Sequence, residues 1–503
     1  MIKVVKFWYA PLLIACLAIL FGWRTIYLPW ALIDDHELIM VGTKLSQAAR
    51  DGQFESFFRL GGDVEAGRIR PGFWVEWWLW HELFNLDSVS YHTARLGQYA
   101  IAGMLSVMLA RQTLLGSEWG GFVSGLIFIA SGFHIELWQR LGPQEPLLVI
   151  SFGLSLLAMH QVAVAIQRNR NPMPWFIVAV VCAWVGLTFK ETAIVIFPVS
   201  LLMWRLTYRD WPSEIRLRWQ KWAGGYVAVV FLGVVILGTA IVMSFINRID
   251  LAYSHRYAFD DGPGLMTRIA IYALPILLPY ILFLPVYWIV FREWRRANLT
   301  QWVTPFLQRG WVWVWMGWFL SFYILQLPWG MPQSYYTLTM IFALCPVSVL
   351  GIMLFVQVVK NNPWPTRGFL MGILGLCAFG ALWLNLSVMD DYLDRVTERH
   401  FVDLAMVEFL SANASPGESL WFNENHQFSE VAGATADMLE FIHHQPRPYS
   451  SYIEPTSKFA VGDWVLSRVC DFRLPNTRLQ PVAQFSGQIG LQWCLFRVAG
   501  DGN

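Results

Sequence analysis

Residues 8–38 read "WYAPLLIACLAILFGWRTIYLPWALIDDHEL". The run from Trp8 to Tyr27 is long and apolar enough to cross a bilayer, which takes about 20 mainly apolar residues. One snorkelling charge would end such a helix, yet Asp34, Asp35, His36 and Glu37 follow side by side. Charge crowded at a membrane boundary is costly and marks function. Lys3 and Lys6 precede the run and no small-residue cleavage site follows it, so it reads as an uncleaved first helix and not a signal peptide.

The same apolar texture continues along the chain. About eleven runs qualify, at 8–27, 94–111, 122–138, 146–166, 174–189, 192–208, 226–245, 269–291, 311–327, 337–359 and 369–386. The 503 residues are 56% hydrophobic and 14% charged, whereas soluble domains carry about a quarter charged. With 28 tryptophans, residues that favour the membrane–water boundary, the expectation is an α-helical polytopic membrane protein with about 11 transmembrane helices. A net charge of +1 argues against a nucleic-acid partner. No internal repeat is visible, which argues against transporters built from repeated halves.

Loop charge sets the expected orientation. Arg168 and Arg170, the group from Arg205 to Lys221, the group from Arg292 to Arg309, and Lys360 with Arg367 all fall in alternate loops. The positive-inside rule then makes the N-terminus cytoplasmic, and an odd helix count puts the C-terminus outside. The chain divides into a membrane domain, 1–389, and a tail, 390–503. Within the first, the outer loop 34–93 contains "RPGFWVEWWLWHELF", with Phe73, Trp74, Trp77 and Trp78 on one helical face. It reads as an amphipathic interfacial helix on the membrane plane, serving either as an aromatic anchor or as a contact for a lipid substrate. The tail alternates helix, turn and strand patterns and reads as a small C-terminal extracytoplasmic α/β domain. It holds Cys470 and Cys494, which would pair in an oxidising compartment; a disulfide and two free thiols both stay open.

Polar residues interrupt the apolar runs on one side only. Beyond the opening cluster, "GFHIELWQRLGPQEP" supplies His134, Glu136, Arg140 and Glu145, and "LTFKETAIV" supplies Lys190 and Glu191. The segment after the seventh run supplies Arg248, His255, Arg256, Asp260 and Asp261, and "LPWGMPQSYY" supplies Gln333 to Tyr336, Tyr335 among them. Each cluster follows an odd-numbered run and so faces outward. Simpler readings exist: Lys190 and Glu191 as a pair capping a tight turn, Arg140 and Glu145 as a loop ion pair, Asp260-Asp261 as turn chemistry, Arg24 as a snorkelling charge. Five loops converging on one side is what an active site at the outer membrane boundary would produce.

An Asp-Asp pair after the first helix, a large aromatic first outer loop, many helices and a polar tail together resemble the C-type (GT-C) glycosyltransferase superfamily. The segments "RIRPGFWVEWWLWHELFNLDSVSYHTARL", "GFHIELWQRLGPQE" and "LTFKETAIVIFP" resemble the transmembrane O-mannosyltransferase branch, without the tetratricopeptide repeats of its eukaryotic members. The resemblance covers roughly the first two hundred residues and implies a polyprenyl-phosphate-linked sugar donor used on the extracytoplasmic side. The acceptor would be a glycan, lipid or protein hydroxyl.

Transfer with inversion needs a base near the acceptor hydroxyl and cations near the departing phosphate. Asp34 or Asp35 is the expected base, with Asp34 favoured because the superfamily's base is usually the first acid after the helix. Arg140 and Lys190, then Arg256 and His134, are the expected phosphate contacts. Arg70, Glu136, Glu145, Glu191, His36 and Tyr335 would support them. No cofactor is required; the carboxylates leave room for a divalent ion, but no residues have metal-ligand spacing, so no metal ligands are assigned. The rival readings are a lipid-linked glycan polymerase, ligase or flippase, and a non-enzymatic sensor or scaffold. A flippase needs a hydrophilic path that the inner helix halves lack, and a scaffold needs no convergent polar loops.

Overall fold

A computed structural model describes residues 2–32, 35–53, 70–246, 266–270, 272–273, 281–295, 298–327, 337–423, 429–450, 453, 457–474, 477–488, 490 and 492–499. The chain is mostly helical. Helices α1 (Ile2–Gly22), α2 (Asp35–Arg50), α3 (Pro71–Phe84), α4 (Ser88–Thr113) and α5 (Glu118–Ile129) come first. A short α6 (Glu136–Gln139) leads into α7 (Glu145–Gln167), α8 (Met173–Leu187), α9 (Ile196–Leu206) and α10 (Ser213–Ile246). Then follow α11 (Leu284–Glu293), α12 (Leu299–Arg309), α13 (Trp311–Gln326), α14 (Leu338–Lys360) and α15 (Trp364–Asn413).

Among the described residues five helical stretches are long and apolar enough to span a membrane: Trp8–Tyr27, Glu145–Gln167, Ser213–Ala240, Leu338–Lys360 and Trp364–Asn413. Shorter apolar helices at Glu118–Ile129, Met173–Leu187 and Thr192–Leu206 pack among them. Helix α4 packs against α1, α5 and α7, with Leu105, Ile14, Phe128 and Leu156 wholly or nearly wholly buried between them. Outward-facing apolar side chains such as Leu376 and Phe379 on α15 stay exposed, as lipid contact requires.

The run 122–138, expected as one span, is broken. α5 stops at Ile129, and a tight turn, Gly132–His134, follows. α15 is the cause: a Cβ on Gly132 would lie 2.5 Å from the Asn385 carbonyl oxygen and 2.9 Å from the Met389 nitrogen. Asn385 Oδ1 accepts from the Gly132 N–H at 3.3 Å, so the chain turns where the two backbones meet.

α15 is 50 residues long. It runs on past residue 389 into the tail without interruption. Beyond it a five-stranded sheet, β1 (Leu420–Asn423), β2 (Tyr449–Ser450), β3 (Trp464–Ser467), β4 (Leu479–Ser486) and β5 (Gln492–Val498), has the order β2-β1-β3-β5-β4. β2, β1 and β3 run parallel, and β5 pairs antiparallel with both β3 and β4. Helix α16 (Ser429–Phe441) follows β1. Cys470 and Cys494 form a disulfide, Cα–Cα 5.2 Å, which resolves the alternative left open above.

The first-loop aromatic face is buried inside the protein. Phe73, Trp74 and Trp77 are at most 3% exposed. They share one core with Leu38 and Leu45 of α2, Met406 and Leu410 of α15, and Leu420, Trp464 and Trp493 of the sheet. Helix α2 packs on α3, and the tail domain packs in turn on α2, so the apolar face is buried within the protein. The opposite stripe, Val75, Leu79 and Leu83, is the exposed one. Arg24 keeps an accessible head, and its guanidinium bridges Asp390 at 2.9 Å and Asp394 at 2.6 Å on α15.

Candidate active site

The polar loops meet through the backbone of one residue, Leu141. Asp35 is the first residue of α2 and is wholly buried. Its Oδ2 accepts from the Ala31 N–H at 2.9 Å, holding the chain into the helix, and its Oδ1 accepts from the Leu141 N–H at 3.0 Å, more than a hundred residues on. The Leu141 carbonyl accepts from Arg95 Nη2. A wholly buried carboxylate and a wholly buried guanidinium thus grip the two sides of one residue's backbone. A buried ion is tolerated only when partnered in this way.

Arg95, on α4, also donates from Nη1 to Gln98 Oε1 at 2.8 Å, and its guanidinium sits 5.3 Å from the centroid of the Trp80 ring. Gln98 Nε2 donates to Glu76 Oε1 on α3 at 3.1 Å. Burial pushes the Glu76 carboxyl up to about 7, against the opposing pull of Arg95 and the Gln98 hydrogen bond.

The clamped Leu141 follows Arg140 directly. Arg140 Nη1 reaches Glu136 Oε1 at 3.1 Å, one turn back, and both remain partly accessible. Glu145 opens α7, is 4% exposed, and pairs with Lys190 Nζ. Lys190 lies in extended backbone (φ −156°, ψ 145°) between α8 and the turn Glu191–Val195. The Arg-Pro segment stands on the end of α8, two residues before Lys190: the Gly72 N–H donates to the Thr188 carbonyl at 3.0 Å, and a side chain on Gly72 would collide with Thr188. Arg70, 8% exposed, lies 4.6 Å over the Phe73 ring. Three of the expected clusters and the Arg-Pro segment are therefore linked by direct contacts at one end of the bundle.

His134 is placed differently. It is wholly buried, Trp138 Nε1 donates to its Nδ1 at 3.0 Å, and its Nε2 stands 2.9 Å from the Phe128 carbonyl. That arrangement suits one neutral tautomer with both nitrogens engaged, which gives the ring a bracing role under the loop. Asp34, Arg256 and Tyr335, with Arg248, His255, Asp260 and Asp261, lie outside the described residues, as do the side chains of His36 and Glu191.

Arg95, Glu76, Gln98 and Gln139 were not singled out from sequence. Gln139, beside Arg140, is wholly buried, and neither its Oε1 nor its Nε2 has a hydrogen-bond partner among the described residues. Glu76 and Arg95 do fall within the quoted aromatic segment, where a charge among tryptophans is the available signal. Among the described residues no three His, Cys, Asp or Glu side chains converge as a metal site.

No protein-family model matches the chain, and no curated protein matches it by sequence. Solved structures do match it. The crystal structure of ArnT from Cupriavidus metallidurans bound to undecaprenyl phosphate is similar at TM-score 0.54 and 11% identity, over 97% of this chain and 98% of that one. The apo-state structure of the same protein is similar at TM-score 0.54 and 11% identity, over 97% of each chain. At 11% identity the likeness is one of fold, and it extends over nearly the whole chain, well past the two hundred residues in which a sequence resemblance was visible.

Proposed function

We propose that the protein transfers a sugar from a polyprenyl-phosphate-linked donor to a hydroxyl acceptor, with inversion, at the extracytoplasmic boundary of the plasma membrane. The observation that carries this reading is the joining of the Asp35–Leu141 clamp to the Glu145–Lys190 pair across loops distant in sequence. A neighbour of the same fold bound to undecaprenyl phosphate supports the donor class. The distribution of lysine and arginine among the loops and the disulfide in the tail domain support the orientation.

In this mechanism Asp34 is the base. Both Asp35 oxygens are engaged by backbone N–H groups, so Asp35 is better suited to positioning its neighbour than to accepting a proton. The acceptor oxygen attacks the anomeric carbon while its proton passes to Asp34. The bond from that carbon to the phosphate oxygen breaks, and its electron pair stays on the phosphate. Lys190 and Arg140, with Arg70 behind them and Arg256 beyond the described residues, supply the positive charge that stabilises it. Glu145 holds the Lys190 ammonium until the phosphate competes for it. Within this class, the Arg-Pro, His-Glu-Arg and Lys-Glu segments favour the O-mannosyltransferase branch as the nearest template.

The test is transfer of radiolabel from polyprenyl-phosphate sugars by purified protein. Asp34→Asn should lower the rate by about 10²–10⁴-fold, the range for a lost general base. Full transfer by both Asp34→Asn and Asp35→Asn would refute the mechanism.

A further inference from the structure

The helices that carry the candidate active site also frame a second polar cavity at their far ends. His160 lies about 22 Å along α7 from Glu145, and Arg111 about 24 Å along α4 from Arg95, at 1.5 Å per residue. Between them is a cavity of about 410 Å³, within the size range of small-molecule sites. Arg111, Gln112, His160, Gln161 and Arg309 line it, beside an apolar wall that includes Leu157.

These side chains form a built site and not a scatter of surface charge. Arg111 is only 5% exposed and pairs through Nη2 with Glu118. The carboxylate paired with Arg309, that of Asp210, is 3.9 Å away. Tyr208 OH accepts from Trp311 Nε1 at 3.2 Å and stands 2.6 Å from His160 Nδ1. A hydroxyl that accepts from the indole is set to donate to Nδ1, which leaves the proton of a neutral imidazole on Nε2 as a further donor.

We propose that this cavity binds a phosphate group, as a site separate from the candidate active site. Guanidinium groups bind phosphate oxygens through paired N–H donors; Arg111 and Arg309 both line the cavity, and the His160 imidazole N–H adds a donor to the same lining. Among the lining residues Glu118 is the single carboxylate, against two arginines. The apolar wall suits the glycerol end of a phospholipid as well as it suits the carbon skeleton of a small phosphate ester. The shared chemistry is the phosphate, and its source is what the experiment separates.

Delipidated protein is assayed by thermal unfolding in a phosphate-free maltoside detergent, with and without inorganic phosphate, and with added phosphatidylglycerol. The expected result is a saturable rise in unfolding midpoint with one of these probes. A response to inorganic phosphate identifies a soluble ligand, and a response to phosphatidylglycerol alone identifies a lipid headgroup. Arg309→Gln should weaken the apparent affinity about tenfold or more, the scale of a lost charge-assisted hydrogen bond. Gln161→Glu, which adds a negative charge to the wall, should do the same, while the exposed Lys221→Gln leaves it unchanged. No rise with either probe, or an equal loss in Arg309→Gln, Gln161→Glu and Lys221→Gln, overturns the proposal. Sugar transfer is not part of the readout, so this site and the proposed activity fail independently.

Discussion

The two ends of α4 and α7 use the same residue types to opposite effect. At one end Arg95 is closed in: Leu141 C=O, Gln98 and the Trp80 face take its guanidinium, and Asp35 grips the other side of Leu141. At the other end Arg111 and Arg309 stand around a cavity of about 410 Å³. The first arrangement fixes loops that are far apart in sequence. The second leaves open volume beside its charges. A buried cation filled in by protein serves architecture, and a buried cation facing a void serves a ligand.

The sharpest way to break that contrast is to remove one arginine from each end. Arg95→Met should destabilise the protein by about 3–5 kcal/mol in detergent unfolding, because it removes the buried guanidinium and leaves the Leu141 carbonyl and Gln98, with the Glu76 network behind it, unsatisfied. Arg309→Gln should leave stability without ligand within about 0.5 kcal/mol. Equal losses would erase the distinction between the two ends.

Glu76 sharpens the contrast through pH. Its folded-state carboxyl titrates at about 7 against an ordinary 4.5, so the folded protein holds a proton that the unfolded chain has released. This stabilisation is fully present below pH 4.5 and is lost as pH rises to about 7, at up to about 1.4 kcal/mol per pH unit. Glu76→Gln should abolish that dependence. A wild-type midpoint that is flat from pH 5 to 7, or a slope that survives in Glu76→Gln, would remove Glu76 from the network.

The parts of this arrangement legible in sequence are those where charge interrupts an apolar run. Asp35, Arg140, Glu145 and Lys190 stood out for that reason, and the structure links them. Arg95 did not stand out, because a charge near a helix start has an ordinary explanation and its partner, Leu141, offers only a carbonyl. His134 stood out for the same reason as Lys190, yet its surroundings supply hydrogen bonds to both nitrogens. Periodicity marked the Phe73, Trp74 and Trp77 face as apolar but carries no information about what covers it. Helix α2 packs on α3, with the tail domain behind α2, an arrangement no local pattern encodes. The break at Gly132 depends on where α15 passes, which local sequence does not encode.

Arg24 provides the smallest effect and a control on the whole comparison. Its contacts to Asp390 and Asp394 are short, at 2.9 and 2.6 Å, yet the three side chains are 39%, 68% and 55% exposed. Water and salt screen such pairs, and exposed ion pairs are typically worth about 0–1 kcal/mol. Arg24→Gln should therefore change the unfolding free energy by less than about 1 kcal/mol and lose even that difference at 1 M salt, where the Debye length falls to about 3 Å. Arg95→Met should keep its full effect at the same salt, since no electrolyte reaches a wholly buried guanidinium. If the Arg24 pair proved as costly to remove as Arg95, burial would not be what separates a structural charge from a surface one in this fold.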